Sequence, residues 1–291
     1  MKIITGRWVG FCSGVKRAIR LIENLDSRKS VMLGPLIHNR RVVEDLEKRG
    51  MRIVRNLEEI EEGWSVVIPS HGCLKEEREV LIKKRINIID ATCPIVRKLQ
   101  SLAEKLKEKG YRVVIVGDKE HPEVKGVKSY AGENSVVLSN LEESEKINGE
   151  RIAVVFQTTS SLDSFKEFSR ALADRGREVR IFNTLCKETV ERQKEAVSLA
   201  KKSECVIVIG GKNSANTKRI FELCSKVNRM TYHVENAEEI DKKWLEGKSS
   251  IFITSGTSTP DEVVSEVIEL LKKYSKERGE EDGRKEVRSN N

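Results

Sequence analysis

The 291-residue chain carries 54 Lys and Arg against 46 Asp and Glu, a formal net charge of +8, and is long enough to bury the cores of two or three compact units. Only 5% of its residues are aromatic and the two charge signs are interleaved, so neither a base-stacking platform nor a nucleic-acid partner is expected. No apolar run reaches membrane-spanning length, and the start, Met-Lys-Ile-Ile-Thr-Gly-Arg, has no secretory apolar region; a cytoplasmic enzyme without a membrane partner is expected.

Short apolar β-like runs alternate with amphipathic helical patterns along the whole chain. Strands are predicted at 31–33, 66–69, 86–89, 112–116, 152–156, 179–182, 205–209 and 251–254, after an N-terminal strand. Helices are predicted after Cys12 and over 42–49, 76–84, 94–109, 162–174, 188–202, 215–226 and 261–274. Such alternation predicts βαβ units, parallel sheets and an α/β fold, with function gathered where strands end and helices begin.

Cys12, Cys93 and Cys186 lie 81 and 93 residues apart. Each is placed in a loop just before a helix, where the dipole and free N–H groups favour a thiolate. The spacing divides the chain into units at 13–93, 94–186 and 187–275, with strand 1–12 joining the last. The charged stretch 276–291 has no apolar periodicity and is expected to be disordered. Three equivalent thiols from three distant segments suggest one shared cofactor. Structural zinc sites draw on short Cys or His pairs, which are absent here, yet a zinc-dependent or Cys-His hydrolase of a phosphorylated molecule stays open at this point, as does a cluster-based sensor. The high charge (34%) and low glutamine content (Gln100, Gln157, Gln193) lean towards a thermophile-like composition.

His38, His71 and His121 stand in polar loops after candidate strands, the placement of a functional set, whereas His233 reads as an ordinary satisfied histidine. Glu123 follows His121 past Pro122, and the two could share proton traffic. The hydroxyls of Thr158 and Thr159 could orient a ligand. Two strand-to-helix loops, one holding Ser214 and Asn216 and one holding Ser258, suit an anion held by hydroxyls, amides and helix ends. Cys205 and Cys224 read as core thiols. Cys73, beside His71, could be near the site and could make the apo protein prone to oxidation, but it does not share the strand-to-helix placement of the three cysteines.

Taken in order, the motifs Gly-Phe-Cys-Ser-Gly-Val-Lys-Arg-Ala-Ile, Gly-Pro-Leu-Ile-His-Asn, Ser-His-Gly, Asp-Ala-Thr-Cys-Pro, His-Pro-Glu-Val-Lys-Gly, Gln-Thr-Thr-Ser-Ser, Asn-Thr-Leu-Cys, Arg-Gln, Gly-Gly-Lys-Asn-Ser-Ala-Asn-Thr and Ser-Gly-Thr-Ser-Thr-Pro make the chain resemble the LytB family of 4-hydroxy-3-methylbut-2-enyl diphosphate reductases, from about Lys2 to Tyr274. The resemblance implies a trefoil of three α/β units around a 4Fe–4S cluster, held by Cys12, Cys93 and Cys186 with one iron open. It implies that His38, His71, His121, Ser214, Asn216 and Ser258 bind the diphosphate. Glu123 would supply a proton and Thr158 would link it to the substrate hydroxyl. The allylic diphosphate would be reduced to isopentenyl and dimethylallyl diphosphate with electrons from reduced ferredoxin or flavodoxin. Two departures stand out: Ala215 replaces a frequent second Ser, and Leu99-Gln100 replaces a common Val-His, the latter expected to leave the chemistry unaffected.

Overall fold

The computed structural model describes residues 1–289, with side chains through residue 277. In chain order the elements are β1 (Lys2–Thr5), α1 (Ser13–Ile22), β2 (Ser30–Leu33), α2 (Arg40–Lys48), β3 (Arg52–Val54), β4 (Ser65–Ile68), α3 (Lys75–Lys83), β5 (Asn87–Asp90), α4 (Pro94–Glu108), β6 (Arg112–Val116) and α5 (Pro122–Ala131). There follow β7 (Val136–Leu138), β8 (Gly149–Phe156), α6 (Leu162–Leu172), β9 (Gly176–Ile181), α7 (Lys187–Ala200), β10 (Cys205–Ile209), α8 (Ala215–Ser225), β11 (Thr231–Val234), β12 (Ser250–Ser255) and α9 (Asp261–Ser289). Among the described residues the strands form three four-stranded sheets, ordered β1-β12-β10-β11, β3-β2-β4-β5 and β7-β6-β8-β9. Every pairing is parallel, as the alternation of strands and helices predicts for an α/β fold.

The chain divides into two compact units, Met1–Phe11 with Glu191–Asn291, and Cys12–Val190. In the first, the central strand β10 is apolar at every position because both its faces are covered. Ile207 and Ile209 join Ile251 and Ile253 beneath Val263, Val267 and Leu271 of α9. Val206 and Val208, one residue out of step, meet Ala196 and Ala200 of α7 and Ile220 of α8. Cys205 and Cys224 are fully buried in these two layers, and burial pushes their thiols up to about 11 and about 12. They are core residues, as read from the sequence.

The second unit holds the other two sheets. In one, Val113, Ile115, Ala153 and Val155 pack against Leu99, Ala103 and Leu106 of α4 and Val124 and Val127 of α5. The opposite register, Val114, Val116, Val154 and Phe156, packs against Phe168 and Leu172 of α6. The other sheet buries Val31, Leu33, Val66 and Ile68 with Leu81 of α3. Cys73 lies in this core, 9% exposed, with its thiol raised to about 11, chiefly by burial. That corrects the expectation of an oxidation-prone thiol: without an accessible thiolate it is a poor nucleophile.

Four elements lie outside the predicted set. The strands β3 and β7 have three residues each, too few for a period-2 signal. The strand β11 contains His233 within Thr-Tyr-His-Val. The helix α5 opens on Pro122 and carries Gly126 midway, which blurs its apolar stripe. At the other end, α9 continues through Ser289, so most of the stretch expected to be disordered from Lys276 is helix, and its last two residues lie outside those described. Its Glu, Lys and Arg are good helix formers even without an apolar face.

Candidate active site

Helix starts build the site. Cys12 caps α1, its sulfur accepting from Val15 N–H at 3.4 Å. Cys93 caps α4, whose first residue is Pro94; proline suits that position because its missing N–H would be unpaired anyway. Cys186 immediately precedes α7, and its carbonyl accepts from Val190 N–H at 3.0 Å. Burial raises the Cys93 thiol, backbone N–H groups of the helix's first turn oppose that, and Cys186 and Glu123 are close enough to add to the rise. The backbone also ties two of the cysteines to other site loops. Cys93 N–H donates to Ser70 C=O and Cys186 N–H to Thr158 C=O, both at 2.9 Å.

Gly14 shows how closely two thiols converge. A Cβ at that position would lie 2.8 Å from Cys93 Sγ and 3.8 Å from Cys12 Sγ. The backbone of α1 thus leaves a cradle between these sulfurs that any other residue would fill. Among the described residues no three His, Cys, Asp or Glu side chains are drawn together as a single-ion site.

The rings of His38, His71 and His121 lie together. The His38 ring lies 5.0 Å from His71, stacked at 20°, and 4.9 Å from His121 at 60°. Burial lowers the pKa of all three, most for His71, where the neighbouring rings add repulsion, and brings His121 down to about 4. They are neutral at pH 7. His121 caps α5 and its Nδ1 accepts from Glu123 N–H at 3.2 Å, which assigns the ring proton to Nε2. His233 bonds Gly210 C=O at 2.8 Å, the satisfied histidine read from the sequence.

Glu123 is the second residue of α5 and only 3% exposed. The helix start fixes its direction, in addition to the proline before it. Its Oε1 accepts from Thr158 N–H at 2.7 Å and its Oε2 pairs with the Thr158 hydroxyl at 2.8 Å. Burial raises its pKa, and these two bonds oppose the rise. A buried carboxyl whose proton can pass to a neighbouring hydroxyl is equipped as a general acid.

The remaining predicted residues belong to the first unit. Ser214 caps α8, accepting from Thr217 N–H at 3.3 Å. Asn216, 2% exposed, has neither its amide nitrogen nor its carbonyl oxygen hydrogen-bonded. Such a group is costly to bury unless a ligand meets it. The two anion-type loops adjoin, since Gly256 N–H and the Thr259 hydroxyl both donate to Ile209 C=O, at 2.8 and 3.0 Å. A Cβ at Gly256 would strike Thr217 Oγ1. Ser258 on the second loop is 5% exposed. Arg192 is 1% exposed and donates to the carbonyls of Ser255 and Gly256 at 3.1 and 3.2 Å, shaping that loop from beneath.

The structure therefore gathers Cys12, Cys93, Cys186, His38, His71, His121, Glu123 and Thr158 in one unit and Ser214, Asn216 and Ser258 in the other. Sequence reasoning missed the parts of Gly14 and Arg192. Both stand inside recognised motifs, but only geometry reveals a need for a missing Cβ or a buried guanidinium. Of the two departures, Ala215 is simply the first residue of α8. Gln100 is 2% exposed against the turn after His71, where a Cβ on Gly72 would lie 2.5 Å from its Nε2.

The family model described as LytB protein matches residues 3–272. A 4-hydroxy-3-methylbut-2-enyl diphosphate reductase of a Nitratiruptor species is 45% identical over 274 residues, 94% of this chain and 99% of the relative. The enzyme of that name from Dictyoglomus thermophilum is 44% identical over 266 residues, 90% and 93% of the two chains. A solved structure of (E)-4-hydroxy-3-methyl-but-2-enyl diphosphate reductase, described as the terminal enzyme of the non-mevalonate pathway, is similar with 38% identity and a TM-score of 0.68, covering 94% of this chain and all of its own. The Plasmodium falciparum reductase structure is similar with 26% identity and a TM-score of 0.88, covering 93% and 87%. No helix among the described residues is long and apolar enough to cross a membrane.

Proposed function

This chain belongs to the LytB protein family, and we propose that it is a reductase of (E)-4-hydroxy-3-methylbut-2-enyl diphosphate, ending the non-mevalonate route to isoprenoids. The reaction removes the allylic hydroxyl as water, consuming two electrons and two protons, and yields isopentenyl and dimethylallyl diphosphate. The observation that carries the reading is the buried Glu123–Thr158 pair in the same unit as three cysteines at helix starts and three clustered histidines.

Cys12, Cys93 and Cys186 would hold a 4Fe–4S cluster with one iron left for substrate; the cradle at Gly14 and the helix N-termini suit a bulky anionic group. When bound, such a cluster supplies electrons and a Lewis-acidic position that makes hydroxide a better leaving group. Glu123 holds the proton that the departing oxygen needs. The Thr158 hydroxyl, bonded to Glu123 Oε2 at 2.8 Å, passes it on and orients the substrate hydroxyl. His38, His71 and His121 bind the diphosphate and gain protons as they do so. Ser214, Asn216 and Ser258 complete its hydrogen bonds. The electrons come from reduced ferredoxin or flavodoxin. The reaction belongs in the reducing cytoplasm, where thiol ligands stay reduced.

The test is anaerobic conversion of the hydroxylated diphosphate with reduced methyl viologen. The two isoprenoid diphosphates together should appear at half the rate at which viologen, a one-electron donor, is oxidised. Release of inorganic phosphate without viologen oxidation would make the chain a hydrolase instead.

A further inference from the structure

Two of the three cysteines share a pattern that the reaction does not use. Cys12 is followed at its fourth and fifth positions by Lys16-Arg17 in α1, and Cys93 by Arg97-Lys98 in α4. At Cys186 the same positions hold Val190 and Glu191. Neither α1 nor α4 has an acid in its first turn, where the helix dipole favours one. Lys16, Arg17, Arg20 and Lys98 are exposed.

More positive charge converges on the segment before Cys93. Arg17 donates to the carbonyls of Asp90 and Thr92, each at 3.3 Å. Arg78 pairs with the Asp90 carboxylate at 2.9 Å and Arg97 bonds the same oxygen. Asp90 is thus one carboxylate among three guanidinium groups, close enough for Arg78 and Arg17 to repel Arg97. Glu188, held by the backbone and hydroxyl of Ser13, adds a second carboxylate at the start of α1. The surplus remains positive. Within this rim the first turn of α4 presents Pro94 and Ile95 to solvent, Ile95 being 36% exposed.

We propose that this basic rim, with Ile95 as its apolar contact, is the docking surface for an acidic protein that delivers one electron at a time. The proposal rests on the reading that Cys12 and Cys93 hold an iron–sulfur cluster. Both cysteines are only partly buried, so a carrier seated on the first turns of α1 and α4 lies beside the sulfurs that electrons must reach. Opposite charge steers it there and an exposed apolar residue gives it a dry contact. Each docking oxidises the carrier by one electron, and two dockings complete a turnover.

The test measures binding of a purified bacterial 2[4Fe–4S] ferredoxin to the anaerobically prepared chain at low and high salt. Iron content and viologen-driven turnover are followed alongside. Lys98→Glu and Ile95→Asp place acids near a helix start, where the dipole tolerates or favours them. Each should weaken ferredoxin binding about tenfold or more at low salt, and Lys98→Glu should also flatten its salt dependence. Iron content and viologen-driven turnover should stay at the wild-type level. Ferredoxin binding equal to wild type in both variants would overturn the docking surface. If either substitution lowers the iron content, Arg20→Glu on the exposed last turn of α1 replaces it, with the same two outcomes. A wild-type chain without iron would sink the cluster reading rather than the surface.

Discussion

Thr158 contacts both carboxylate oxygens of Glu123, one through its backbone N–H at 2.7 Å and the other through its hydroxyl at 2.8 Å. The carboxyl is buried and its pKa raised, which equips the pair for the proton transfer proposed above. Glu123→Gln keeps the shape and can keep both bonds but has no proton to give. Turnover should fall about 10²–10⁴-fold, the usual worth of a positioned general acid, while the substrate still binds. The wild-type rate should decline as pH rises through the raised Glu123 pKa, because only the protonated carboxyl donates. Above that pH the ionised carboxylate costs stability that Gln does not, so Glu123→Gln should melt higher than wild type there, and the advantage should vanish at lower pH. Unchanged turnover would leave Glu123 a structural residue.

If the histidine cluster binds the diphosphate as proposed, that binding is proton-linked. Burial lowers the pKa of His38, His71 and His121, with repulsion from neighbouring rings added at His71 and His121, and a bound diphosphate favours their charged forms. Titration of isopentenyl diphosphate in buffers of different ionisation enthalpy should show proton uptake between pH 7 and 8, with affinity falling as pH rises. The unliganded protein should behave oppositely. With folded values depressed below 6.5, to about 4 for His121, it should lose stability as pH falls across that window. Binding without proton uptake would mean the rings act only as neutral donors.

Asn216 separates stability from binding. Its amide is buried without partners, so Asn216→Leu should stabilise the unliganded protein by about 1–3 kcal/mol, the cost of an unsatisfied buried polar group. Asn216→Ala should weaken isopentenyl diphosphate binding by roughly 1–3 kcal/mol, as for a lost hydrogen bond to a charged group. Melting curves with and without the ligand check both. A less stable Asn216→Leu with unaltered affinity would place the diphosphate elsewhere.

Gly14 is the smallest feature with a sharp consequence. Because a Cβ would come within 2.8 Å of Cys93 Sγ, Gly14→Ala should lower iron retention while α1 itself remains, alanine being the better helix former. Circular dichroism beside iron analysis checks the pair. Wild-type iron content in the variant would mean the thiols lie farther from Gly14 in the working protein.

Much of this was legible in the sequence because helix starts leave strong local marks. Cys12 and Cys93 as caps, Pro94 opening α4 and Ser214 opening α8 follow from local residue chemistry alone. The buried strands β8 and β10 were equally plain as apolar runs. What escaped was set by tertiary contact. The helix α5 is short, opens on Pro122 and has Gly126 inside it, so the element that carries Glu123 was hidden even though its pairing with His121 was legible. Cys73 stands two residues from His71 in a loop, and only tertiary contact shows that it packs in the core with Ile68 and Leu81.

The measurement that bears most directly on the central claim is iron, acid-labile sulfide and zinc analysis of the protein purified without oxygen. The wild-type chain should be brown and carry about four iron and four sulfide with no stoichiometric zinc. Serine in place of Cys12, Cys93 or Cys186 should bleach it, while Cys205→Ser and Cys224→Ser should not. A colourless wild-type protein with one zinc per chain would contradict the account.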